Sequence, residues 1–299
     1  MLRIPEGLLG NEIELARVDV TSDMIASYTN AVGDTPPAHG DAPPTFCISM
    51  RRGMTPDVTL PPDMFGVYGG HDIEFHHPIR AGESYRVTGK IAELYEKSGR
   101  SGTLTVVVRE ALISDRNGTL AARIVERQIV RQRPTTVAPA TTPRERAEPP
   151  AEEEDRGAAI GHHVKDIDVG HELGPWRRPT PTAEVIARYA GTADIAEPLF
   201  TSAASARGLG YRGVVVPGPM LTAFLEHFVR RELPDWRLER LSATFRVPTI
   251  SGDTIIVSGV VTERHELADG ERIVCDLVIE HSEGERAVTG TATLRTTQA

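Results

Sequence analysis

The chain has 299 residues, enough for two domains of ordinary size or one large one. Its 33 basic and 42 acidic residues leave a net charge of −9, which argues against a nucleic-acid partner held by a basic face. Apolar residues make up 39%, no run approaches the roughly 20 apolar residues of a spanning helix, and the opening MLRIPEGLLG lacks a long apolar leader; the expectation is no membrane span and a cytoplasmic location. Cys47 and Cys275, the only cysteines, cannot frame a disulfide network or a zinc site and are expected to be buried thiols.

From the N-terminus, Thr21-Ser22-Asp23 is a good helix cap, followed by Met24, Ile25 and Tyr28 at helical spacing. An Ala31-Val32-Gly33-Asp34 turn follows, then a short apolar run, Thr45 to Arg52. After Phe75-His76-His77-Pro78-Ile79-Arg80-Ala81-Gly82 come three stretches with strand character: Tyr85 to Tyr95, Thr103 to Ser114 and Leu120 to Val130. Asn117-Gly118 supplies a hairpin turn between the last two. Arg133 to Arg156 is rich in Pro, Thr, Ala and charge, with Val137 as its one large aliphatic residue. It cannot bury enough apolar surface to offset the entropy of ordering, and it reads as a flexible linker. The expected organisation is a domain over 1–132, a linker over 133–162 and a second domain over 163–299.

The second half repeats the first. Thr182 can cap a helix bearing Val185, Ile186 and Tyr189, which runs into Gly191-Thr192-Ala193-Asp194. Phe245, Pro248 and Gly252 stand 170 residues after Phe75, Pro78 and Gly82, whereas Tyr189 stands 161 after Tyr28; the first half has therefore lost a net nine residues between. Met220 to Leu233 carries Leu221, Phe224, Leu225, Phe228 and Val229 on one face and predicts a buried helix, longer than its first-half counterpart. Strands are expected at Thr254 to Thr262, Arg272 to Glu280 and Ala287 to Leu294, with a turn at Asp269-Gly270. Each half thus reads as helix, central helix and an antiparallel sheet of about four strands, the two sheets pairing side by side.

Three stretches, Ala42-Pro43-Pro44-Thr45-Phe46, His71 to Glu83 and Tyr95-Glu96-Lys97-Ser98-Gly99-Arg100, resemble the N-terminal half of MaoC-like, FAS1-like dehydratases, and the second half is similar to their second domain. The resemblance implies an α+β double hot-dog fold, two tandem domains each with an antiparallel sheet wrapped round a central helix. It also implies reversible hydration of a 2-enoyl thioester carried on coenzyme A or an acyl carrier protein. The family motif Tyr-Ala-x-x-Ser-Gly-Asp-x-Asn-Pro-x-His aligns with Tyr28 to His39; Gly33, Asp34, Pro37 and His39 match, while Val32 and Pro36 depart from Ser and Asn. In the second half, Ile195 stands in place of the catalytic Asp, Glu197 of the Asn and Phe200 of the His. The resemblance therefore assigns the acid–base pair to Asp34 and His39, with Tyr28, Pro37 and Phe200 as pocket residues.

The chemistry suits the spacing. A carboxylate and an imidazole five residues apart can hold one water between them, and such acid–base work contributes about 10²–10⁴-fold. The thioester oxygen needs backbone donors, best supplied at a helix N-terminus; the amides of Thr45 and Phe46, after the donor-less Pro43-Pro44, and of Gly218 are the candidates. No cofactor or metal is expected, and the assembly is expected to be a monomeric pseudo-dimer or a homodimer.

Gly208-Leu209-Gly210-Tyr211-Arg212-Gly213 fits G-x-G-x-x-G but lacks the preceding strand a dinucleotide site requires, so it reads as a turn. His76-His77 and His162-His163 are adjacent pairs that cannot chelate well. Arg51, Arg52, Arg177, Arg178, Arg207 and Arg212 are either solvated or contacts for coenzyme A phosphates or an acidic carrier. Two other functions remain open on this sequence. One is a hot-dog cyclase with an enlarged apolar cleft for a polyketide-like intermediate. The other is a silent, acyl-binding subunit of a separate dehydratase.

Overall fold

The computed structural model describes residues 9–34, 40–51, 60, 61, 63–99, 102–132, 167–195 and 197–296. The expected linker, the domain boundary within it, His162-His163, His39 and Pro37 lie outside the described residues.

In chain order the first half holds β1 (Ile13–Asp19), α1 (Ser22–Val32), α2 (Cys47–Met50), β2 (Met64–Phe75), β3 (Ser84–Gly99), β4 (Gly102–Asp115) and β5 (Leu120–Gln132). The second holds β6 (Glu172–Pro179), α3 (Ala183–Thr192), α4 (Ala203–Gly208), α5 (Gly218–Glu232), β7 (Trp236–Phe245), β8 (Thr254–Leu267), β9 (Gly270–His281) and β10 (Arg286–Thr296). All six expected strands are present, mostly longer than their patterning indicated. Among the described residues each half has five strands rather than about four. The extra ones, β1 and β6, precede the first helix of each half; Ile13–Asp19 is only half-buried, so its alternation is faint in the sequence.

The strands form one sheet in the order β1-β3-β4-β5-β2-β7-β10-β9-β8-β6, so the halves meet where β2 pairs antiparallel with β7. Gly70 sits on this seam at φ 151°, and a Cβ there would stand 2.4 Å from the carbonyl oxygen of Ala243, so only glycine lets the two sheets approach. The helices lie against the inner face. Thr21 and Thr182 cap α1 and α3 as expected, their hydroxyls accepting from the amides of Met24 and Val185 at 3.2 and 3.4 Å. Tyr28 and Tyr189, both fully buried, meet across the pseudo-twofold axis with ring centroids 5.9 Å apart.

The register shows how far the repeat holds. His71 pairs Glu126 as Leu241 pairs Ala292, and Arg109 pairs Glu126 as Cys275 pairs Ala292. The bulges between Tyr68 and Gly70 and between Ile91 and Glu93 recur between Leu238 and Arg240 and between Val261 and Glu263. At five equivalent inner-face positions the second half carries Leu238, Leu241, Cys275, Ala292 and Leu294, all buried. The first half carries Tyr68, His71, Arg109, Glu126 and Gln128. Such polar burial is tolerated only when the groups satisfy one another.

The G-x-G-x-x-G stretch begins at the last residue of the short helix α4, not after a strand. Both cysteines are buried thiols. Among the described residues no helix is long and apolar enough to cross a membrane.

Candidate functional site

The first-half motif builds a helix end. α1 stops at Gly33, left-handed at φ 69°, and the Asp34 amide donates to Thr29 O at 2.9 Å. The same turn recurs in the second half: Asp194, at φ 54°, replaces Gly33, and the Ile195 amide donates to Ala190 O at 2.8 Å. Asp34 and Ile195 therefore occupy equivalent places, and only the first carries a charge.

Asp34 is turned inward, its side chain 4% exposed, toward the C-terminal end of α5. Oδ2 accepts from Arg230 Nη2, and Oδ1 stands 3.1 Å from His227 Nδ1. Arg230 Nε also donates to Glu226 Oε1. Glu226 Oε2 accepts from the Thr45 hydroxyl at 2.9 Å, and the Tyr28 hydroxyl donates to Thr45 at 2.9 Å. A chain of polar contacts thus runs Tyr28–Thr45–Glu226–Arg230–Asp34–His227, three members from each half. Burial and the neighbouring Asp34 charge raise the Glu226 carboxyl, against the pull of Arg230. Burial would lower the Arg230 guanidinium, but the Glu226 and Asp34 carboxylates outweigh it and raise it.

Thr222, Glu226 and Arg230 follow one another at four-residue spacing, so they form a stripe on one face of α5 about 12 Å long. Thr222, at its N-terminal end, meets a second cluster. Its hydroxyl lies 2.8 Å from His71 Nε2, and His71 Nδ1 lies 2.9 Å from the Tyr68 hydroxyl. Tyr68 donates to Glu126, which also pairs with Arg51, while Arg109 Nη2 donates to Gln128 Oε1 at 2.8 Å. Burial and the adjacent Arg51 charge push the His71 imidazole down to about 3, and burial pushes the Tyr68 phenol up to about 12. Both are neutral near pH 7.

The other expected site residues are placed as follows. Phe46 is not a free donor: its amide donates to Pro43 O at 2.8 Å, because Pro43-Pro44 opens a tight 3-10 turn that closes on itself. Thr45 enters the site through its hydroxyl. A Cβ on Gly218 would lie 2.8 Å from the Phe245 ring, so the glycine at the start of α5 makes room for an aromatic side chain of the protein itself. Tyr28 has no exposed surface and acts as a hydrogen-bond donor within the core rather than as a pocket wall, and Phe200 packs against the core beside α3. Arg51, largely buried, pairs with Glu126, and Arg212, still half-exposed, pairs with the buried Asp253. Arg178 lies over the Phe224 and Trp176 rings at 3.9 and 4.7 Å, and burial lowers it to about 10. Sequence reading passed over Glu226, His227 and Arg230, which lie inside a helix identified by its apolar face. Their signal was the polar spacing Thr222, Glu226, Arg230 within that helix. His71, Glu126 and Arg109 left none, since alternation alone does not say which face of a strand is inward. Among the described residues no three His, Cys, Asp or Glu side chains converge as metal ligands.

Residues 7–124 match the family model for the FAS1-like dehydratase domain region. Over 93 residues the chain is 37% identical to a mesaconyl-C(4)-CoA hydratase of Chloroflexus aurantiacus, a stretch covering 31% of each protein, so the match spans about a third of that relative's length. Among solved structures, a MaoC-like dehydratase superposes with a TM-score of 0.77 at 16% identity, covering 98% of this chain and 99% of that one. A MaoC domain protein dehydratase from Chloroflexus aurantiacus gives 0.70 at 16%, covering 97% and 96%. A Mycobacterium tuberculosis protein described as having a double hot-dog fold gives 0.63 at 14%, covering 96% of each. The structural likenesses establish the double hot-dog fold, and the family match ties residues 7–124 to the FAS1-like dehydratase domain region.

Proposed function

We propose that this protein adds water reversibly across the 2,3 double bond of an enoyl thioester, with Asp34 and His39 as the acid–base pair and coenzyme A as the carrier. The observation that carries this reading is the contrast between two equivalent turns. The first presents a buried carboxylate inside a polar network, the second presents Ile195. The relative named as a mesaconyl-CoA hydratase supports a coenzyme A thioester and hydro-lyase chemistry. A base takes a proton from water as its oxygen bonds to C3. The π electrons move onto the thioester oxygen, and an acid protonates C2. With the Phe46 amide occupied, the Thr45 amide is the donor we assign to that oxygen. Both halves being on one chain, we take the monomeric pseudo-dimer as the working unit.

The test is loss of the enoyl-thioester absorbance with crotonyl-CoA, mesaconyl-CoA and longer 2-enoyl-CoA substrates. Asp34→Ala and His39→Ala should each lower kcat by about 10²-fold or more; full activity in the double variant would sink the assignment. The silent-subunit reading has one observation in its favour, that both oxygens of Asp34 are already engaged, one by the Arg230 guanidinium and the other beside the His227 imidazole. It requires activity only after mixing with a separate dehydratase. The cyclase reading expects an apolar cleft, and the first-half inner face is instead crossed by Tyr68, His71, Arg109, Glu126 and Gln128.

A further inference from the structure

The motif turn carries Asp34 to the C-terminal end of α5, where the second half offers a histidine. His227 Nδ1 stands 3.1 Å from Asp34 Oδ1 without a hydrogen bond between them, close enough for the carboxylate to favour the imidazole's charge when the ring takes a proton. Its other nitrogen, Nε2, has no hydrogen-bond partner among the described residues, and the side chain is 18% exposed, so water can reach it. The ring lies against Trp176 at 5.1 Å between centroids, which fixes its plane. From α5 it is faced by Arg230 and Arg231, from β6 by Arg178, and from the end of α1 by Asp34. Burial lowers the imidazole, the three arginines add to that, and Asp34 opposes it. The C-terminal end of a helix also favours an imidazolium.

Asp34 already has a guanidinium on one oxygen and an imidazole beside the other, which leaves it a poor acceptor for a proton from water. A carboxylate so placed is better suited to orienting an imidazole whose far nitrogen moves the proton. We propose that His227 is the proton-transfer partner of Asp34, so that the acid–base machinery is assembled across the two halves. This rests on the hydratase reading above. Nε2 takes one proton of the water as its oxygen bonds to C3. The C2–C3 π electrons move onto the thioester oxygen, and as that enolate collapses C2 takes its proton from His39. His227 then returns its proton to solvent. His227 thus takes the base's part given above to Asp34, and Asp34, acting through His227, becomes a positioning residue. The scheme also accounts for the lost motif of the second half: its role at the working site is carried by α5, and Ile195 has no charge to supply.

Two measurements test it. In an NMR titration of the histidine rings, with His227 assigned by its disappearance in His227→Gln, Asp34→Asn should lower the His227 midpoint by about one unit, a tenfold shift in the proton equilibrium. In kinetics, His227→Gln, shown to be folded by circular dichroism, should lose about 10²-fold in kcat with little change in KM, and should lose the acid limb of the pH profile. A His227 midpoint indifferent to Asp34→Asn overturns the pair. So does His227→Gln with wild-type kcat and pH profile in an otherwise active enzyme. A wild-type protein inert toward every 2-enoyl-CoA instead sinks the hydratase reading and the proton-transfer role with it, while the titration still decides whether the two residues are coupled.

Discussion

Arg230→Met removes the one guanidinium that serves two buried carboxylates, those of Glu226 and Asp34, with side chains 1% and 4% exposed. Met keeps the length and apolar stem of the side chain, so the loss is of charge rather than of packing. Breaking a buried pair from one side costs about 3–5 kcal/mol, because the partner is left charged and uncompensated. Two stranded carboxylates push toward the upper end, while the 26% exposure of Arg230 and the nearby His227 pull toward the lower. At roughly 2 °C per kcal/mol for a chain of this size, the fall in Tm at pH 7 is about 6–10 °C. The sign with pH follows from Glu226. Its folded-state carboxyl is already raised by burial and rises further without Arg230, so the penalty grows as pH climbs above the ordinary carboxylate range and shrinks as pH falls into it. Thermal unfolding of variant and wild type, followed by circular dichroism at pH 7 and pH 5, checks both points. A Tm loss under 2 °C, or a loss equal at the two pH values, would refute the buried-network argument.

Gly70→Ala places a Cβ 2.4 Å from the Ala243 carbonyl at φ 151°, and should cost about 1–3 kcal/mol in urea unfolding; an unchanged midpoint would show that the seam yields freely. His71→Leu installs the residue found at the equivalent second-half position, yet it should destabilise by about 1–3 kcal/mol because the Tyr68 and Thr222 hydroxyls lose their shared partner; a neutral or stabilising result would contradict that. In the wild type, the lowered His71 pKa means that stability declines as pH falls below about 6.5, since the unfolded chain binds a proton that the fold refuses, and His71→Leu should weaken that decline. Cys47 and Cys275 have no exposed surface, and burial pushes the Cys275 thiol up to about 12. Neither should react with a thiol reagent at pH 8 until urea unfolds the chain, and prompt labelling would show an opening to them.

The internal duplication, the capping threonines, the six later strands, the long central helix of the second half and the first half's likeness to FAS1-like dehydratases were legible in the sequence, because each rests on local signals. A cap is set by one side chain, a hairpin by Asn117-Gly118, a buried helix by spacing, and a repeat by constant offset. The same locality explains the misses. β1 and β6 are half-exposed edge strands with little alternation to show. The Phe46 amide looked available because a proline pair removes donors, and only the folded turn reveals that the next amide is spent on Pro43. The partners of Asp34 were out of reach for a different reason. His227 and Arg230 stand 193 and 196 positions away in sequence, and they meet Asp34 only because two pseudo-symmetric halves pack their helices against one continuous sheet. Sequence alone determined which turn carries the charge; tertiary structure decided what that charge faces, since burial and ionic partners are properties of the assembled pair of halves and of neither half alone.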